Sequence, residues 1–319
     1  MVPAVRSVAA VRARPYAGGM PPPAAATAPP AYTPPAPALP AEPCVTCGQP
    51  AGTPYCPHCG ERRAADRALT VRAMREDVLD ALSPADGRAP RSLWLLLRRP
   101  GLLTAEYARG VRQPYLTPLK LFLLVNLLYF AVASWAGMST FSTPLGTHVS
   151  NTSHAPVAMR MVRARLAERR TTFKAYAPVF NRVAATQAKS LVGAMVPAFM
   201  LAVAAVGRRR RPAAVHLAFA LHASAALLLL FVATHFAFNL PIGWADRAFA
   251  WNLTSQRYDD LASSAYSLAA GVYLYHALRR AYGDGPAGAA AKAFWLVFAY
   301  WVSLFLYRVL LFFVTFWTT

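Results

Sequence analysis

The sequence predicts an all-α, multi-pass membrane protein with a disordered N-terminal arm and one small cysteine-built module. Three observations predict it. Hydrophobic residues make up 56% of the chain and charged residues only 14%, against about 25% charged in a soluble domain. The charges leave long gaps of nearly pure apolar sequence, and many of the arginines flank those gaps, where they set topology and meet anionic headgroups. All four cysteines fall within one stretch, CVTCGQPAGTPYCPHCG, residues 44–60.

Residues 1–43 form the arm. They are rich in Ala, Pro and Arg, as in MPPPAAATAPPAYTPPAPALPAEP. Proline fixes φ and removes amide donors, and almost no large apolar group is present to bury, so this segment reads as an extended spacer. No apolar signal core precedes residue 40, which predicts that the cysteines stay in a reducing compartment, free to bind metal.

Residues 44–60 form the module. Cys44–Cys47 and Cys56–Cys59 are two Cys-x-x-Cys pairs, each followed by a glycine, Gly48 and Gly60. Two residues between cysteines let both thiolates of a tight turn face one ion, and glycine supplies the positive φ of that turn. Two such turns supply the four soft ligands of a structural zinc ribbon. Thioredoxin-like dithiol chemistry requires a βαβ setting, and no such pattern surrounds either pair. Four protein ligands close the coordination shell, so the zinc is expected to be structural, holding a module too small for its own core.

Residues 61–117 read as cytoplasmic amphipathic and interfacial helices. RALTVRAMREDVLDAL (67–82) has helical apolar spacing and SPADG (83–87) ends it. SLWLLLRRPG (92–101) is too short to span, and reads as a helix lying on the membrane surface.

Residues 118–319 form the transmembrane domain, with spans expected at 118–138, 190–207, 213–237, 261–278 and 292–317. At about 1.5 Å per residue each reaches across a hydrocarbon core of about 30 Å, the fourth only just. The basic short loops at 207–212 and 279–292 place the N-terminus in the cytoplasm and the C-terminus outside. The 139–189 loop would then lie outside despite its arginines, and its second half is expected to be helical, with Val162, Leu166, Phe173, Tyr176, Phe180 and Val183 near one side. The net charge of +20 is scattered around apolar runs rather than gathered in one basic domain. That pattern favours membrane lipids over nucleic acid as the partner.

Polar groups inside the spans are few. Arg308 lies in the fifth span, with Asp259 and Asp260 at the start of the fourth as its natural partners. His216, His222 and His235 lie on the third span, and His276 near the end of the fourth. His216 and His222 are about 120° apart around a helix, so they cannot easily share a metal alone; hydrogen bonding between helices is the simpler role. No Ser–His–Asp spacing, phosphate-binding glycine loop or intramembrane carboxylate pair occurs.

Several stretches together resemble the bacterial domain-of-unknown-function family three-six-six-seven, over residues 44 to about 302. They are the twin clip ending YCPHCG and the segment LLLRRPGLLTAEYARGVRQPYLTPLKLFL (95–123), with its Tyr107–Gly110–Arg112 and Tyr115–Pro118 spacings. RPAAVHLAFALHAS (211–224) carries His216, Phe219 and His222 in the family's His-x-x-Phe-x-x-His pattern, and LYHALRRAYG (274–283) carries its arginine–tyrosine–glycine turn. The family often has an acidic residue just before the first histidine; here it is Val215, which weakens any carboxylate–histidine role. The resemblance implies architecture and no activity.

These readings lead to an expected bacterial inner-membrane protein, non-enzymatic, acting as a scaffold or regulator whose zinc ribbon docks a protein partner. A second reading is a small-solute or ion transporter or channel using Arg308, His216 and His222. A third is a membrane-embedded enzyme acting on lipid, with a headgroup site beside Arg98, Arg99, Arg109 and Arg112.

Overall fold

The computed structural model describes residues 42–63, 87–138, 140–150, 152–207, 211–251 and 253–319. The arm up to residue 41, the helix expected over 67–82 and the arginines at 208–210 lie outside the described residues.

The cysteine module extends slightly beyond the cysteines. β1 (Glu42–Pro43) and β2 (Pro50–Ala51) pair antiparallel, with Glu42 opposite Ala51. A bridge between Tyr55 and Arg62 brackets the second Cys-x-x-Cys turn in the same way.

Two short helices follow. α1 (Arg88–Arg98) stops before Arg99–Pro100, because proline disfavours helical backbone in the residue ahead of it. α2 (Leu102–Arg109) starts after Gly101 and ends at Gly110, both left-handed, with φ of 78° and 92°. The Val111 N–H donates to the Glu106 carbonyl, the six-to-one bond that closes a helix end on glycine. Gly101 is also a contact: a Cβ there would lie 2.3 Å from the Ala277 carbonyl oxygen.

Among the described residues, four helical runs are long and apolar enough to cross a membrane: Pro118–Trp135, Phe173–Val206, Ala213–Phe249 and Pro286–Thr318. The first is α3 (Pro118–Trp135), opened by a proline at its start. α4 (Leu145–Ser150) and α5 (Ala155–Glu168) follow it.

The second run differs from the expected span at 190–207. α6 (Phe173–Leu191), a 3₁₀ turn (Val192–Ala194) and α7 (Met195–Val206) form one continuous helix of 34 residues, about 51 Å long. The 3₁₀ turn falls where the ring of Pro197 would crowd the carbonyl of Gly193. The break between α5 and α6 has local causes. Arg170 turns left-handed at φ 48°, and the Thr172 side chain caps α6 by accepting from the Ala175 N–H. Of the residues expected on one side, Val162, Tyr176 and Phe180 are buried, with Leu145, Ala158, Ala184, Phe312 and Phe316, in a second small core; Leu166 and Val183 are half-buried, and Phe173, at the start of α6, is exposed.

The third run is α8 (Ala213–Thr234), a π turn (His235–Asn239) and α9 (Leu240–Phe249). The π turn precedes Pro241, which removes one backbone donor. α8 is the axis of the bundle: Ala214, Ala218, Ala220, Ala223, Ala225 and Ala226 are all buried, and small residues let neighbouring helices approach closely. α3, α7 and α10 (Ser255–Tyr282) pack around it.

α10 contains the expected span at 261–278. It has 28 residues, enough to cross, but its composition is too polar to place it among the four apolar runs. Its apolar side, with Tyr266, Ala270, Leu274, Ala277 and Leu278, is buried in the protein. α11 (Pro286–Thr318) completes the bundle, beginning six residues before the span expected at 292.

Candidate metal centre and polar chamber

The two cysteine turns are built alike. In the first, Cys44 N–H donates to the Gln49 carbonyl and Gly48 N–H to the Cys44 carbonyl; in the second, Cys56 N–H donates to Glu61 and Gly60 N–H to Cys56, all at 2.8 Å. Gly48 and Gly60 have φ of 75° and 71°, the left-handed backbone that closes each turn without a Cβ penalty. The turns bring four sulfurs within 4.8 Å of one another. Cys44 and Cys59 Sγ are 3.5 Å apart, and Cys47 and Cys56 Sγ 3.6 Å. A tetrahedron of metal–sulfur bonds of about 2.3 Å has edges of about 3.8 Å, so the sulfur cluster fits one ion. The Cys59 backbone N–H lowers the Cys56 thiol to about 6, and burial raises Cys59 to about 12.

The module is latched to the membrane-proximal segment. Glu61 is 1% exposed. Its Oε2 accepts from the backbone N–H of Arg112 at 3.0 Å, from that of Gln113 at 2.9 Å and from Thr46 Oγ1 at 2.8 Å. Gln113 Nε2 donates back to the Gly60 carbonyl. One carboxylate thus joins the first cysteine turn, the end of the second and the chain just after α2. Nothing in the sequence singled out Glu61. Its partners are backbone groups some fifty positions away, which carry no residue-type signature.

His216 and His222 sit on α8 with separate partners. His216 Nδ1 is 2.9 Å from Tyr282 Oη and its ring stacks on that tyrosine. Gly207 abuts the same ring, since a Cβ there would lie 2.4 Å from His216 Cε1. His222 Nδ1 is 2.9 Å from Thr104 Oγ1 of α2. These bonds pin α2 and the end of α10 to the start of α8.

Arg308 lies at the other end of the bundle. α8 runs from His222, beside α2, to Thr234, which shares a cavity with Arg308; α10 returns from that cavity to Arg280, whose guanidinium donates to the Pro100 carbonyl. Arg308 therefore does not meet His216 or His222. It donates to the Thr140 carbonyl at 3.3 Å and lines a cavity of about 430 Å³ that Asp259 also lines. On its other side is a smaller hollow of about 200 Å³, shared with His154 and Trp301. His154 Nε2 is 3.0 Å from His148 Nδ1, and burial lowers His148 to about 3.

The four arginines considered for headgroups are placed differently from one another. Arg98 is exposed over the Trp94 ring and lines an open basic cleft with His276, Arg279 and Arg280. Arg99 is exposed, and exposed Arg109 pairs with Glu106. Arg112 is buried, its guanidinium 4.3 Å from the centre of the Tyr107 ring. The Arg98 cleft was not legible in the sequence because its other basic members, His276, Arg279 and Arg280, lie on α10.

Fold and site define a helical membrane protein with a four-thiol clip latched to its membrane-proximal helices. Residues 86–130 match the model of a family described as protein of unknown function (DUF3667), in agreement with the resemblance of this segment. The match covers α1, α2 and most of α3. No curated protein and no solved structure matches the chain.

Proposed function

We propose that the protein is a non-enzymatic scaffold or regulator of a bacterial inner membrane, and that its cytoplasmic clip holds structural zinc and docks a protein partner. The observation that carries this reading is the joining of the sulfur cluster to the membrane-proximal segment through Glu61. Four thiolates leave no open coordination position for substrate. A metal that folds the clip therefore sets the shape of the surface above α2. Crosslinking in intact cells tests it. A protein neighbour should crosslink to the clip of the wild type and be lost in Cys44→Ser/Cys56→Ser, while neighbours of the spans are unchanged. An identical set of neighbours in both proteins would refute the docking role.

A second reading, binding and passage of a small solute, is favoured by the Arg308 cavity. It uses Arg308 and the polar lining around it, without His216 and His222. Solute flux into liposomes, lost in Arg308→Gln, tests passage.

A further inference from the structure

The Arg308 cavity has a polarity that specifies a ligand. At its wall are three buried polar atoms without a hydrogen-bond partner among the described residues: Arg308 Nε, Thr143 Oγ1 and Asn239 Oδ1. Buried polar groups are normally satisfied, so these three leave the wall polar, but with almost no accessible surface they do not themselves touch a molecule in the cavity; the groups that carry the ligand's ends are the charged side chains lining it, Arg308 and Asp259. Thr143 is only 2% exposed. The three offer different chemistry. Arg308 Nε is a charged donor, Asn239 Oδ1 is an acceptor, and the Thr143 hydroxyl can be either.

The charges are arranged in the same sense. Arg308 is half-buried while Asp259 is exposed, and among the described residues no ion pair joins them. Both side chains thus line one cavity of about 430 Å³ without pairing, a size that suits a small ligand. Had the site served only to neutralise Arg308, the two groups would be expected to close on each other, since an uncompensated charge at this position is costly. Trp301 lines the same space, its indole N–H already donating to Ser267, so its ring supplies an apolar wall beside the polar groups.

We infer that this cavity binds a small zwitterion, a molecule carrying an acid group and an ammonium group a few bonds apart. The acid end meets the Arg308 guanidinium and the ammonium end meets the Asp259 carboxylate. A free amino acid-like solute and the headgroup of an ethanolamine phospholipid share this chemistry. The inference rests on reading the cavity as a solute site and is independent of passage across the membrane.

Binding is measured by calorimetry on the full chain in detergent, with glycine and phosphoethanolamine as probes and with ethanolamine and inorganic phosphate as half-ligands. At least one zwitterion should bind, at least tenfold more tightly than either half-ligand. Arg308→Gln and Asp259→Asn should each weaken it at least tenfold, with retained helicity and an unchanged melting temperature reporting intact folding. If neither zwitterion binds, if a half-ligand binds as well as the whole, or if both variants bind like wild type, the inference is overturned. Repeating the titration in nanodiscs separates the sources. Phosphatidylethanolamine that competes with the soluble probe identifies the lipid headgroup; undiminished binding identifies a free solute. Loss of binding in detergent removes the ligand class, whereas failed liposome flux with binding intact removes only passage.

Discussion

Glu61→Ala should unlatch the cysteine clip from the membrane domain without emptying it of metal. The wild-type carboxylate accepts three hydrogen bonds at one oxygen, two from backbone N–H groups of Arg112 and Gln113 and one from Thr46. A hydrogen bond to a charged group contributes about 1.5–3 kcal/mol when buried, and about 1 kcal/mol is typical of a more exposed one. The Thr46 bond lies within the clip, so counting the buried Arg112 bond at the higher scale and the Gln113 bond at the lower one gives about 2.5–4 kcal/mol of docking energy. Amide exchange reads this directly. If the latched state protects the Arg112 and Gln113 amides, removing that energy should raise their exchange rates by about 10²–10³. Glu61→Gln keeps a neutral acceptor and should fall between the two. Metal content should stay at the wild-type level in both variants, because the four sulfurs are untouched. Exchange of those two amides within threefold of wild type in Glu61→Ala would show that the latch does not hold the clip.

Other consequences follow from particular contacts. Gly101→Ala combines a left-handed φ with a Cβ only 2.3 Å from a backbone oxygen of α10, so it should cost about 2–5 kcal/mol and lower the melting temperature more than Gly48→Ala, where the space is open. Gly207→Ala should displace the His216 ring and break its bond to Tyr282, at about 1–3 kcal/mol; an unchanged melting temperature in that variant would contradict the packing. Because the metal folds the clip, uptake at pH 7 should release protons from thiols that sit near their ordinary value of about 8.5 in the unfolded module, measurable by calorimetry in buffers of different ionisation enthalpy. His148 is held near 3 by burial, below its unfolded value of about 6.5. Its contribution to stability is present above about pH 6.5 and is lost as pH falls toward 3. Exchange protection around α4 and α5 should therefore weaken at pH 5 in wild type and less so in His148→Phe.

The parts of this molecule that were legible in the sequence are those set by local spacing. The Cys-x-x-Cys-Gly turns close through bonds spanning four or five residues, so the pattern CVTCGQPAGTPYCPHCG contains nearly all of their geometry. The apolar runs were legible because bilayer thickness dictates their length. Boundaries were harder. Lys174, Arg182 and Lys189 interrupt the hydropathy of α6, which concealed its continuity with α7, although the spacing of Tyr176, Phe180, Ala184 and Ala188 along one face was a helical signal. α10 was legible as a helix, but its polar residues are accommodated at the Arg308 cavity and at surfaces whose partners lie elsewhere in the chain. The long-range bonds were not legible at all. Glu61 to Arg112, Thr104 to His222 and Tyr273 to the Leu96 carbonyl join positions between about fifty and nearly two hundred residues apart. One sequence without covariation holds no record of such pairs.

The central claim is that four thiolates hold one structural zinc in a clip fastened to the membrane domain. Metal content of the purified full chain, measured by mass spectrometry of the elements in wild type and in Cys44→Ser/Cys56→Ser, tests it most directly. The account predicts one zinc per wild-type chain and none in the variant, with the helical content of the spans unchanged. A wild-type chain without metal whose cysteines are joined as disulfides would contradict the claim, and would also place the N-terminus in an oxidising compartment.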